Sequence, residues 1–441
     1  MSGVVTVDQA KLVLNSFAAI FQNNLTSAEL VTWRKFDNEM NDRNALTVVE
    51  QVVPRYVVTR SASGGPVQDL TNPGTQSSVF GSEQYKVDTI FGSSMGWQDF
   101  VKIRDLGAAR ESEALKSAAL NLAEQIDAYI LGFAVNASNN WLGTAGNAVQ
   151  AYDDVASGYT RLKEEGVTDQ DLRAVLTYGD KQALGSLVVS DNASLADIGA
   201  GVYRDGWEGK IAGIPTLFTQ QLPTLATGSH AATGTFTASG GTSVHYADVA
   251  VSPAPGQYMT QTVTLAAGSG TETLVDGEVF TIAGVNAYDN RLQASLARLQ
   301  EFRVIGGPYT AASGSFTNVR IFPAMIIPSA FSNTPNVNVD TAHATVTAAP
   351  TDGATVTFIT PTSGSVKPRA ILNKSAIVVN TADLIMPATG IGSRKSLTKV
   401  PLSVRMWQNS VFNTGEHQVR FDVALAANVV DRRRIVRING S

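Results

Sequence analysis

Between Lys210 and Arg291 the chain contains no lysine or arginine, and Thr, Ser, Gly, Ala and Val fill the interval in alternating runs broken by turn residues. Period-two alternation marks strands, and short glycine-punctuated strands build small sandwiches or barrels. Helical patterns with ordinary charge precede the block, and charged residues return after it. The layout therefore predicts an α+β host interrupted by an all-β, barrel-like module. At 441 residues there is room for two or three cores.

Charge and composition narrow the function. Net charge is −5, and the dense basic cluster is Arg432, Arg433, Arg434 and Arg437, which argues against a sequence-reading nucleic-acid binder. That cluster could touch phosphates. Its strand-like setting beside Asp431 favours a solvated or subunit-facing edge. The chain has no cysteine, which excludes disulfides, thiolate metal sites and cysteine nucleophiles. Its first residues, MSGVVTVDQAK, lack the basic and apolar regions of a signal peptide, and no run approaches the ~18 apolar residues of a membrane span. A soluble, cytoplasmic protein is expected, so the sequons at Asn24, Asn136 and Asn192 carry little weight.

Thr6 to Gln9 and Thr26 to Glu29 have capping-box spacing, each ahead of apolar residues at helical intervals: Leu14, Phe17 and Phe21, then Leu30, Trp33 and Phe36. Two amphipathic helices are predicted. The runs VVEQVVPRYVVTR and YKVDTIF read as strands flanking a polar stretch rich in Gly, Pro, Ser and Gln. They form an extended two-stranded arm, and a polar excursion of this length is either disordered or ordered by another subunit. From about Arg104 to Ala137, Leu115, Ala119, Leu122, Ile126, Tyr129 and Phe133 recur at helical spacing, predicting one long helix.

A helix from Asp153 to Glu165, a strand RAVLTY, a helix after Asp180 and the turn-rich GKIAGIPTLFTQQLP predict a small α/β region. The β module then starts near Leu222, with SVHYADVAV, YMTQTVTL, GEVFTIAGV, LQEFRVI and NVRIFPAMII as strands. After Gly353, ATVTFIT, SAIVVNTADLIM, VPLSVRMW and HQVRFDVALAANVVDRRRIVRI are expected to complete sheets begun before the module.

Catalytic motifs are scarce. Gly92-Ser93-Ser94-Met95-Gly96 matches the G-x-S-x-G pattern, in which a strained strand-to-helix turn exposes a nucleophilic serine. Nothing ties His417 to Ser94 as its base, and a turn ending the arm is the favoured reading. His230, His245, His343 and His417 lack metal-ligand spacing. Gly199, Gly201 and Gly206 miss the third glycine position of a dinucleotide loop, and no phosphate-binding P-loop motif occurs. Asp153 and Asp154 suit a helix N-terminus better than acid–base work. No catalytic residue, cofactor or metal site is assigned, and a structural protein is favoured over an enzyme.

The order of parts, together with GKIAGIPTLFTQQLP (Gly209 to Pro223), DGEVFTIAGVNAYDNRLQASLARLQEFRVIGG (Asp276 to Gly307) and the C-terminal VRFDVALAANVV, resembles the major capsid (coat) proteins of tailed bacteriophages. The nearest branch is the short-tailed Salmonella phage type of the Hong Kong 97-like fold, whose coat protein carries an insertion domain. This resemblance implies an N-terminal helical arm over 1–50, an extended hairpin arm (E-loop) over 51–100, and a spine helix with peripheral domain over 101–150. It further implies an axial domain over 151–221, the inserted β domain over 222–352, and the axial return with peripheral strands over 353–441.

Such a subunit would assemble with itself as hexamers and pentamers of an icosahedral shell. Its expected partners are a scaffolding protein, a portal and packaged double-stranded DNA held by non-specific proximity, with no membrane. It would be assembled in the host bacterial cytoplasm and end in the virion capsid. The arm would lie over a neighbouring subunit, making Arg55, Arg60, Asp69, Glu83 and Lys86 candidates for inter-subunit pairing. The basic-free module would face neighbours or solvent rather than DNA. Alternatives are an encapsulin-like nanocompartment shell, a serine hydrolase using Ser94, and a surface adhesin, which the missing signal peptide opposes.

Overall fold

Twenty-five residues of unbroken helix, Glu113–Ala137, form the longest helical element among the described residues, about 37 Å at 1.5 Å per residue. The computed structural model describes residues 7–35, 47–52, 55, 79–87, 89–97, 113–167, 171–191, 210–237, 243–268, 270–328, 335–386, 391–411 and 416–440. The predicted helix start near Arg104 and the arm tip therefore lie outside the described residues. Contacts divide the chain into two compact units. One comprises Met1–Val48, Tyr85–Phe133 and Lys374–Val430, and the other Val49–Gln84, Ala134–Asn373 and Asp431–Ser441.

In the first unit, the strand Glu416–Val429 is the hub of a six-stranded sheet. It pairs antiparallel with Ser403–Val411, Ile377–Ala382 and Thr89–Trp97, while Thr32–Lys35 runs parallel to Ile377–Ala382 and Ile391–Ser396 borders Ser403–Val411. The helix Val7–Asn24 buries Leu14, Phe17 and Phe21, the face its periodicity predicts, and Phe17 stacks on Phe421 of the hub strand at 3.9 Å. Leu115, Ala119, Leu122 and Ile126 of the long helix are buried as their spacing requires.

The second predicted helix is different. Only Ser27–Leu30 is helical, and Thr32–Lys35 is a strand registered Trp33 to Val379. Val31, Thr32 and Trp33 are β-branched or aromatic and suit a pleated surface, so sheet pairing overrides the helical spacing of Leu30, Trp33 and Phe36. Thr26 makes no side-chain cap. Asp127 of the long helix instead accepts the Thr26 and Ser27 N–H groups at 2.8 and 2.9 Å.

The second unit contains an α/β sheet and a barrel. Strands Asn140–Leu142, Ile435–Ile438, Arg369–Asn373, Leu172–Leu176, Ile214–Phe218 and Lys210–Ile211 lie side by side in that order. The helix Tyr152–Glu164 covers them, with Val155 and Leu162 against Ile371, Val436 and Ile438. Gly158 permits this close approach, since a Cβ there would meet Ile371 Cδ1 at 2.6 Å. Asp154 accepts the N–H groups of Gln150 and Ala151, the helix-start role expected of the acidic pair.

The closed barrel runs in spatial order through Thr233–Thr237, Gln261–Ala266, Ser315–Phe322, Ala294–Ile305, Val279–Asp289 and Thr355–Phe358. Alternate residues fill it: Val263 and Leu265, Phe280 and Ile282, Phe302 and Val304. Two expectations fail here. SVHYADVAV contains a one-turn helix, Tyr246–Val249, whose Tyr246 N–H is held by Asp340 at 2.7 Å. ATVTFIT does not complete an earlier sheet. Thr355–Phe358 pairs with both Thr233–Thr237 and Val279–Asp289 and closes the barrel, so the β module runs past residue 352. Outside it, Leu225–Ala226 pairs antiparallel with Ser365–Val366, bringing the two connecting segments together.

Candidate functional site

The strand Ile435–Ile438 is buried at every position although its third residue is arginine. Val436 and Ile438 join the α/β core, and the intervening Arg437 points to the opposite face by the period of a strand. Arg437 is 0% exposed, its guanidinium lying 5.0 Å from the Trp141 ring centroid. It donates to the Gly277 carbonyl at 2.7 Å and to the Ser138 carbonyl. Gly277 has φ +91, and a Cβ there would collide with Asn136 Oδ1, so only glycine fits this turn.

Around that turn, barrel residues meet the α/β region through charge. Asp276 accepts from Arg303 Nη2 at 2.9 and 3.0 Å, from Asn136 Nδ2 at 2.5 Å and from the Gly306 N–H at 2.9 Å. Glu301 accepts from Arg161 at 3.0 Å and from the Trp141 N–H at 2.8 Å. Arg298 reaches Glu164 and Glu165 at 3.1 and 2.7 Å. Burial pushes the Glu301 carboxyl above the usual range, with Arg161 opposing it. Elsewhere in this unit Arg369 grips Asp180 through two bonds of 2.7 Å, and Asp180 also holds the Val149 and Thr177 N–H groups.

The arginine cluster is thus not one solvated, phosphate-facing patch: Arg432 and Arg437 are buried, while the Arg433 and Arg434 side chains are 32% and 40% exposed. Arg437 is enclosed. Arg432 is buried, donates to the Gly256 carbonyl at 2.6 Å and lies 5.0 Å over the Phe322 ring. Arg433 and Arg434 are paired with Asp431. The sequence hint is only that Arg437 sits inside the apolar run IVRI, since alternate strand residues face opposite sides and an arginine there can also turn its head to water.

Of the assembly candidates, Arg55 is exposed and its N–H donates to His343 Nε2 at 3.3 Å. Lys86 is exposed at the end of the strand Gly81–Lys86, which pairs with Thr47–Val52. Arg60 and Asp69 lie outside the described residues. Glu83 is not a surface group: it is 4% exposed, and burial pushes its carboxyl up to about 8 against the opposing charge of Arg432.

Ser94 sits within the regular strand Thr89–Trp97, opposite Arg420. The segment is therefore neither a nucleophile elbow nor a turn ending the arm, because sheet pairing on Glu416–Val429 extends through all of Gly92 to Gly96. His417 is paired with Trp97. His230 bonds Glu278 at 3.1 Å, His245 bonds Asp340 at 2.6 Å, and His343 stacks on Tyr246 at 3.6 Å. Among the described residues, no three His, Asp or Glu side chains are grouped to hold a metal, and no helix is long and apolar enough to cross a membrane. Gly199, Gly201 and Gly206 lie outside the described residues.

A family model for the P22 coat protein, gene protein 5, matches residues 85–435. No curated protein matches the chain. Solved structures similar to it include the capsid of the cyanophage P-SCSP1u, at 10% identity, TM-score 0.41 and coverage of 94% of this chain and 87% of that one. The bacteriophage PhiM1 mature capsid gives 10% identity, TM-score 0.41 and coverage of 94% and 86%. The CUS-3 coat protein I-domain gives 20% identity and TM-score 0.20, covering 29% of this chain and 94% of that one. With a family match spanning most of its length, the chain belongs to the P22 coat protein family and is a bacteriophage major capsid protein, a subunit of the phage shell.

Proposed function

We propose that this coat protein has a Hong Kong 97-like fold in which Glu113–Ala137 is the spine helix, Thr47–Val52 and Gly81–Lys86 root the extended arm, and the barrel is an inserted domain. The observation that carries the reading is the stem Leu225–Ala226 with Ser365–Val366, which brings the barrel's two connections side by side between strands of one α/β sheet. An insertion needs such paired ends. The subunits assemble as hexamers and pentamers around a scaffolding protein, with a portal, in the host cytoplasm, and the shell holds double-stranded DNA without reading it. The role is structural rather than enzymatic. Arg55, Arg60, Asp69 and Lys86 are the arm groups offered to neighbours, each contact contributing about 0 to 1 kcal/mol, so cohesion comes from repetition through the lattice.

Electron microscopy of the purified chain with its scaffold tests this reading: closed shells are expected, and monomers alone under assembly conditions would sink it. Excising the barrel between Leu225 and Val366 through a short linker tests the insertion. The long helix should persist by circular dichroism, while stability falls because Arg161, Trp141 and Arg437 lose their barrel partners. Loss of all helical signal would make the barrel part of the host core.

A further inference from the structure

Buried guanidinium groups need anionic partners, because an unpaired charge away from water is strongly unfavourable. Arg303, Arg432 and Arg437 are 5%, 8% and 0% exposed. Arg303 is linked to each of the other two through shared neighbours. Arg303 holds Asp276, and Arg437 holds the carbonyl of the next residue, Gly277. Arg303 is also registered opposite Phe322, whose ring carries Arg432.

The nearby carboxylates do not balance this charge. Asp276 is filled by Arg303, Asn136 and Gly306, and Glu301 is committed to Arg161 and the Trp141 N–H. Among the described residues, the direct hydrogen-bonding and ring partners of Arg437 and Arg432 are neutral carbonyls and aromatic faces, while Asp276 acts on both from farther off, with Glu301 on Arg437 and Glu83 on Arg432. Four N–H-bearing atoms, Arg303 Nε, Arg432 Nε and Nη1 and Arg437 Nε, are buried with no hydrogen-bond acceptor among those residues. Arg303 lowers the proton affinity of both other arginines by like-charge repulsion, after the larger effect of burial. Glu83 faces Arg432 but is held toward its neutral form by burial.

We propose that Arg303, Arg432 and Arg437 enclose a small inorganic anion of chloride size, bound at the junction of the barrel with the strand Ile435–Ile438. Such an ion accepts several N–H donors without directional demand. It supplies the negative charge that the side chains lack. Water could fill the same donors but would leave the charge unbalanced, and this difference is measurable.

Thermal unfolding of the full chain, followed as chloride replaces gluconate at constant ionic strength, is the first test. Gluconate is too bulky for a buried site. A saturable rise in melting temperature with chloride is expected, and Arg432→Met should abolish the chloride dependence. Equal melting in both salts, or an equal chloride effect in Arg432→Met, would overturn the proposal. Should that variant fail to fold, crystals of the unaltered chain grown in bromide decide the matter. An anomalous peak among the three guanidiniums is expected, and water-like density without anomalous signal there refutes the site.

Discussion

The Asp127 carboxylate accepts the backbone N–H of Ser27 at 2.9 Å across 100 residues of sequence. A side chain of the long helix thus caps the one-turn helix Ser27–Leu30, a task that Thr26 does not perform. Asp127 is fully buried, and desolvation raises its proton affinity while the Thr26 and Ser27 bonds oppose that rise. Asp127→Ala strands one buried and one part-buried donor and should cost about 1 to 3 kcal/mol. Asp127→Asn retains an acceptor oxygen and should cost less. Urea denaturation of both variants checks the order; equal stability in Asp127→Ala and the parent chain would show that the bonds contribute nothing net.

Ile126, beside Asp127, is completely buried. Ile126→Ala removes apolar volume from a filled interior and should lower stability by about 2 to 5 kcal/mol. Chemical denaturation of the soluble subunit measures it.

Glu83 gives the chain a pH dependence of defined sign. Its folded carboxyl is raised from the ordinary 4.5 to about 8, first by burial, with Arg432 opposing and Asp431 and Glu50 reinforcing. Between those values the folded chain retains a proton that the unfolded chain has released, so this group's contribution to stability declines as pH rises through the window and is flat above it. A tenfold difference in proton affinity between the two states is worth about 1.4 kcal/mol, so the whole effect is on the order of a few kcal/mol. Glu83→Gln should remove this component. Urea midpoints across the window, compared between the two chains, would refute it if their pH slopes coincide.

Ser94 should be inert toward acyl-group chemistry. It occupies a regular strand opposite Arg420, without the strained turn that activates a serine nucleophile. A fluorophosphonate probe should label neither the parent chain nor Ser94→Ala, and Ser94-dependent labelling would reopen the hydrolase reading.

Much of this architecture is legible in the sequence, because its signals are local and periodic. Leu115 through Ile126 announce their helix by spacing, Phe17 and Phe21 their buried face, and the alternating runs around Val263, Phe280 and Phe302 their barrel strands. Each pattern needs only the repeat of one element and the preference of apolar side chains to leave water. The absence of lysine and arginine between Lys210 and Arg291 marks the β-rich region by the same logic, since a chain that need not present charge can alternate small and apolar residues.

What the sequence could not show depends on partners distant along the chain. Thr32–Lys35 carries a helical spacing yet becomes a strand because Ile377–Ala382 offers it backbone partners. Thr355–Phe358 joins the barrel rather than a sheet begun before it because its hydrogen bonds go to strands that begin near residues 233 and 279. Arg437 reads as one member of a basic cluster, but its surroundings are supplied by Ser138, Trp141 and Gly277. By itself, then, the sequence determined most of the helices and strands, their apolar faces and the class of the protein, the exceptions being segments such as Thr32–Lys35 and Tyr246–Val249 whose distant partners overrode the local pattern. Tertiary structure alone decided which strands pair, where the barrel closes and which charges lie buried, since pairing and desolvation depend on three-dimensional neighbours that no local repeat encodes.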